Sequence, residues 1–182
     1  MRRVLYILGQ LDDLDVEWLA KVAAKRQLRA GDTLVREGVA SRSMFIILDG
    51  HAEVGVRGIG VLATLGVGDM VGELSFVDSA PPSATVTCQT PCVVLDIAKA
   101  DITERLGRDQ GFGMRFYRAI ALFLADRLRG TVRRMGLGGD GEAMNADQIL
   151  EDELDENILN SVTLAGERFD CLLRTLASAR TV

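Results

Sequence analysis

Leu65-Gly66-Val67-Gly68-Asp69-Met70-Val71-Gly72-Glu73-Leu74-Ser75-Phe76-Val77-Asp78-Ser79-Ala80-Pro81-Pro82-Ser83-Ala84-Thr85-Val86 is the most informative stretch of the 182-residue chain. Gly66-Val67-Gly68-Asp69 reads as a turn, and so does the segment Ser79 to Ser83. Between them Glu73 to Val77 reads as one short helical turn. Gly72 has no Cβ, so the backbone there can come close to a ligand. A helix starting at that point aims free N–H groups at an anion.

Working outward, short apolar runs alternate with glycine punctuation from Gly31 to Ile97. The runs Thr33–Val35, Met44–Leu48, Glu53–Val56, Val61–Leu65, Ala84–Cys88 and Val93–Ile97 read as strands. Many short strands at regular spacing predict a sandwich or barrel, not a parallel sheet. Leu8, Leu11, Leu14, Trp18, Leu19 and Val22 recur at helical spacing ahead of them, with Asp12, Asp13 and Asp15 as N-cap candidates. After Ala98 the pattern is helical again. Residues 109–135 are expected to form one long helix with a broad apolar stripe through Phe112, Phe116, Ile120, Phe123 and Leu128. The expected class is α+β: an antiparallel β-barrel or jelly roll flanked by helices, with a long C-terminal helix and an extra helical tail. The expected units are a domain over 1–135, a Gly-rich linker over 136–145 and an acidic helical tail over 146–182.

The order of landmarks resembles the cyclic-nucleotide-binding domain family, which includes the catabolite activator protein and the regulatory subunits of protein kinase A. Gly31-Asp32-Thr33-Leu34, Glu37-Gly38 and Phe45-Ile46-Ile47-Leu48-Asp49-Gly50 precede a stretch similar to that family's phosphate-binding cassette. The resemblance covers about residues 8–135 and implies a ligand site made by Gly72, Glu73, Leu74, Ser83 and Ala84. By that resemblance Glu73 accepts the ribose 2′-hydroxyl. Ser83 contacts the cyclic phosphate, and the small Ala84 leaves room for the ligand. The position of the family's phosphate-pairing arginine holds Pro82. Proline has no charge and no N–H. Losing a charged hydrogen bond weakens binding by about one to two orders of magnitude. Arg57, Arg115 and Arg118 are candidate replacements.

Composition bounds the function. The net charge is −5. Residues 140–182 hold ten acids against three bases, a net of −7, so the tail lacks the basic face that major-groove DNA binding needs. Eight arginines over 101–135 precede it, and these two regions are expected either to be solvated faces or to pair. His51 is the only histidine, and Cys88, Cys92 and Cys171 are scattered, which leaves no zinc set and no nucleophile with its base. His51 reads as a strand surface residue. No metal, no cofactor and no enzymatic activity are expected. The odd cysteine count favours a reducing, cytoplasmic compartment. No apolar run approaches a bilayer span, and the start, Met1 to Leu8, is too short in its apolar part for a signal peptide.

The expected function is a regulatory sensor of a small ligand, cAMP or cGMP in the simplest case. It would signal through the long helix and tail to a protein partner. The alternative is an interaction or scaffold module with a dead pocket. A homodimer is expected along the seam Tyr117, Ile120, Leu124, Leu128, Thr131 and Met135.

Overall fold

A computed structural model describes residues 8–134 together with 166 and 168. The linker and nearly all of the tail lie outside the described residues.

The described chain opens with α1 (Asp13–Val22) and β1 (Ala24–Leu28). There follow β2 (Thr33–Val35), β3 (Ser43–Asp49), β4 (Ala52–Val56), β5 (Gly60–Leu65) and β6 (Met70–Val71). The short helix α2 (Leu74–Val77) leads to β7 (Thr85–Cys88) and β8 (Cys92–Ala98). Two helices complete it, α3 (Lys99–Arg108) and α4 (Gln110–Arg134). The strands form two antiparallel four-stranded sheets, ordered β1-β8-β3-β6 and β2-β7-β4-β5. The result is an antiparallel roll flanked by helices; its two sheets do not close into a barrel.

Strand β3 shows why. Its run Met44-Phe45-Ile46-Ile47-Leu48 is buried on both faces, which accounts for the lack of polar alternation. Phe45 and Ile47 face the space between the sheets, with Leu34, Val35, Leu65, Val86 and Val94. Met44, Ile46 and Leu48 face outward into a second core, closed by Val16 and Leu19 of α1 and by Phe112, Phe116, Ile120 and Phe123 of α4. The helices thus cover one outer face of the roll.

Two strands were not anticipated. β1 reads Ala-Lys-Arg-Gln-Leu, a polar edge strand held by β8. β6 is two residues long, too short to carry a periodicity.

Helix α1 also differs from its expected stripe. Leu14 is exposed, whereas Asp15 is fully buried. The helix begins after Asp12, whose carboxylate caps the Asp15 N–H at 2.9 Å while Asp15 Oδ2 accepts the Asp12 N–H at 3.1 Å. That start turns Asp15 inward, against arginines of α3 and α4. Ile120 lies in the chain's own core at 2% exposure, so it cannot belong to an intermolecular seam. Among the described residues, the exposed large apolar side chains of α4 are Met114, Tyr117 and Leu128.

Candidate functional site

The cassette begins where β6 ends. Gly72 has φ +90°, and a Cβ there would lie 2.9 Å from the Ser43 carbonyl oxygen of β3. Only glycine fits this approach without strain. The next residue, Glu73, is 2% exposed although it carries a carboxylate. Its Oε1 accepts from Arg127 Nη1 at 2.5 Å, and the Arg127 guanidinium lies 5.7 Å from the centre of the Phe123 ring. Burial pushes the Glu73 carboxyl above its ordinary value; the Arg127 charge opposes this without cancelling it.

The rest of the cassette is tied on both sides. Lys99 Nζ donates to Ser75 Oγ at 2.7 Å, and burial lowers that ammonium against the raising influence of Glu73 and Asp78. Phe76 meets Phe116 of α4 edge to face at 5.9 Å. Leu74 and Val77 on α2 are half exposed. At the far end, the Gly38 N–H donates to the Pro82 carbonyl at 2.8 Å and the Glu37 N–H donates to Thr85 Oγ1 at 3.1 Å. Pro82 therefore serves the loop through its carbonyl. Ser83 is exposed and Ala84 half-buried.

The expected replacement arginines sit elsewhere. Arg57 is exposed in the β4–β5 turn, where its own N–H donates to Glu37 Oε2 at 2.9 Å. It lines an open groove of about 330 Å³ with Glu37, Glu53, Thr85 and Thr87, on the outer side of the β2-β7-β4-β5 sheet. Thr85 is the sole cassette residue in that groove. Arg115 is committed to α1: its Nε donates to Asp15 Oδ2 at 2.7 Å and its Nη2 lies 3.0 Å from Asp12 Oδ2. Arg118 is exposed on α4. His51 is exposed just ahead of β4. Among the described residues no group of three or more His, Cys, Asp or Glu could hold a metal ion. No described helix is long and apolar enough to cross a membrane.

Sequence reasoning missed Arg127 and Phe76, two side chains that join cassette and long helix. Arg127 lies 54 residues from Glu73 in sequence, and no local pattern marks it. Phe76 carried a weak signal, as the aromatic of a one-turn helix with nothing local to cover it.

Known proteins share this architecture. Residues 25–109 match the family model for the cyclic nucleotide-binding domain. A cyclic nucleotide-binding domain from Methylobacillus flagellatus superposes with a TM-score of 0.66 at 20% identity, covering 78% of this chain and 85% of that one. The cAMP-dependent protein kinase regulatory subunit of Eremothecium gossypii is 32% identical over 101 residues, which are 56% of this chain and 22% of that protein. The regulatory domain of Toxoplasma gondii PKA, crystallised with cAMP, aligns with a TM-score of 0.52 at 25% identity, over 57% of this chain and 42% of that one. The chain thus spans about a quarter of the length of the curated relatives it matches. Residues 25–109 belong to the cyclic nucleotide-binding domain family. Their roll and cassette have the architecture of that domain, as the Methylobacillus flagellatus structure shares it.

Proposed function

We propose that this chain is a non-catalytic sensor whose ligand is a cyclic nucleotide, cAMP first and cGMP second, seated against Gly72, Glu73, Leu74, Ser83 and Ala84. One observation carries the reading: the buried Glu73 carboxylate is held by Arg127 of α4. A ligand hydroxyl that takes Glu73 must draw on that contact. Because Arg127 belongs to the long helix, occupancy of the cassette changes the energy of α4 relative to the roll. Phe76 against Phe116 supplies a second, apolar link. The names of the Eremothecium and Toxoplasma relatives favour cAMP as the first ligand to try.

The output passes to a protein partner through α4 and the tail, in a cytoplasmic setting that suits the free thiols Cys88 and Cys92. Self-association belongs to the same proposal. Met114, Tyr117, Ala121, Leu124 and Leu128 follow a three-four spacing on α4, and Met114, Tyr117 and Leu128 are exposed. Calorimetric titration of the purified chain with cAMP and then cGMP tests the ligand. A dissociation constant below about 100 μM, near −5.5 kcal/mol, is expected. Glu73→Ala should abolish the heat while leaving the circular dichroism of the fold unchanged.

Pro82 favours a second reading, an interaction module with a dead pocket. Its carbonyl is bound by Gly38 and it offers no donor to a phosphate. No heat with either nucleotide at millimolar concentration would select this reading.

A further inference from the structure

We infer that Arg127 of α4 supplies the ligand-phosphate guanidinium that the cassette lacks at Pro82. The inference rests on the sensor reading and specifies the residue and the anion. Three observations support it. The cassette's own candidate position is proline, whose carbonyl is already bound by Gly38. Of the arginines first considered, Arg115 is bound to Asp12 and Asp15, Arg57 lines the outer groove, where its backbone N–H donates to Glu37, and Arg118 is exposed on α4. Arg127 is the guanidinium in contact with Glu73, and its side chain is 24% exposed, so solvent and ligand can reach it.

Ribose chemistry explains why contact with Glu73 matters. In a 3′,5′-cyclic ribonucleotide the 2′-hydroxyl and the 3′-oxygen of the phosphate are on neighbouring carbons. A carboxylate that takes the 2′-hydroxyl therefore sits beside the phosphate. A guanidinium has five N–H donors in a rigid fork. Arg127 bonds Glu73 through Nη1, and turning its fork toward the phosphate exchanges a carboxylate for a second anion. Glu73 is released to accept the hydroxyl in the same movement. The ligand class is a ribonucleotide with both a free 2′-hydroxyl and a 3′-linked anionic phosphate.

The test compares cAMP with adenosine, which keeps the ribose and base but carries no phosphate. Both are titrated into the full chain, native and Arg127→Ala. The native chain is expected to bind cAMP, and Arg127→Ala to weaken cAMP by about 10- to 100-fold while leaving adenosine unchanged or tighter. Arg127→Lys, which keeps the charge and packing but not the fork, should lose part of that factor. It provides the answer if the alanine variant does not fold. In the native chain, cAMP affinity should fall with added salt and adenosine affinity should not. An unchanged or tighter cAMP affinity in Arg127→Ala and in Arg127→Lys overturns the inference and makes Arg127 a gate over Glu73. Equal losses for cAMP and adenosine also overturn it. A native chain that binds neither cAMP nor cGMP overturns the sensor reading itself, and this inference with it; if it binds cGMP alone, the same comparison is made with cGMP and guanosine.

Discussion

Glu73 and Gly72 are adjacent and are constrained by opposite physics. Gly72 is required by geometry alone: at φ +90°, with backbone 2.9 Å from the position of a Cβ, any side chain forces β3 and the cassette apart. Gly72→Ala should destabilise the fold by about 1–3 kcal/mol, read from urea unfolding, and should weaken nucleotide binding with it. Glu73 costs stability because it is buried. Its carboxyl is raised in the folded state, so the folded chain holds a proton that the unfolded chain has already released. Stability therefore falls as pH rises from the ordinary glutamate range through the folded value, and is greatest below that range. Removing the Arg127 charge pushes the carboxyl further up. Urea midpoints measured across pH should show the decline extending to higher pH in Arg127→Ala than in the native chain. The thiol of Cys88 behaves similarly: burial first, and then its contact with Cys92, pushes it up to about 12. A thiol-reactive probe should label neither Cys88 nor Cys92 in the folded chain, because Cys88 keeps its proton and Cys92 is buried at 2% exposure.

At the scale of elements, the arginine-rich helices and the short acidic segments form specific pairs. Asp15 of α1, with no exposed surface, accepts from Arg105 Nη2 at 2.5 Å and from Arg115 through both Nε and Nη2. The Arg105 guanidinium also covers Trp18 at 4.6 Å and Phe112 at 4.3 Å. One carboxylate thus pins α1 to α3 and α4. Replacing it with alanine removes the buried anion the two guanidinium groups share and leaves them only the more exposed Asp12 and Asp109, so Asp15→Ala should cost about 3 kcal/mol in denaturant unfolding. Burial raises the Asp15 carboxyl, but the Arg115 bonds, the Asp12 N–H and the two guanidinium charges outweigh it, and the net shift is downward. The contribution is therefore fully present above the ordinary aspartate range and is lost as pH falls through the folded value. An acid titration should show the Asp15→Ala variant losing less stability on acidification than the native chain. Arg108 pairs with Glu104 on its own helix and Arg127 with Glu73. Among the described residues, the partners of these four arginines lie in the Asp12–Asp15 start of α1, in α3 with its cap Asp109, and in the cassette.

At the scale of the whole molecule, two surfaces remain to be explained. The exposed stripe of α4 predicts a homodimer. Sedimentation of the native chain should give twice the monomer mass at micromolar concentration, and Leu128→Glu should give the monomer with its roll intact. The tail meets the N-terminal helical segment at a described point: Arg168 donates to Asp13 Oδ1 at 2.7 Å and to the Leu8 carbonyl at 3.1 Å. Here a tail base finds an acid of α1, and Asp13 in the first turn of that helix is 82% exposed and open to a cation. The tail's acids, and with them their expected pairing with the bases of 101–135, lie outside the described residues.

Much of the molecule was legible in one dimension because its signals are local. Glycine-marked turns, apolar runs of strand length and the order Gly-Glu-Leu through Ser-Ala-Thr-Val each depend on a few neighbouring residues, and they sufficed for an antiparallel roll, a cassette and a long helix. The strands Ser43–Asp49 and Cys92–Ala98 were recognisable as the runs Met44–Leu48 and Val93–Ile97 even though each is buried on both faces, since length and turn signals bounded them. The roles of the charges were not legible. Asp15 looks like a cap and is also the buried anchor of three helices; Arg115 looks like a spare phosphate ligand and belongs to that anchor. Arg127 is one of eight arginines in its region, and its meeting with Glu73 follows only from how α4 lies across β6 and α2. Charge pairing acts over a few ångströms between residues far apart in sequence, so it becomes visible once packing has brought them together.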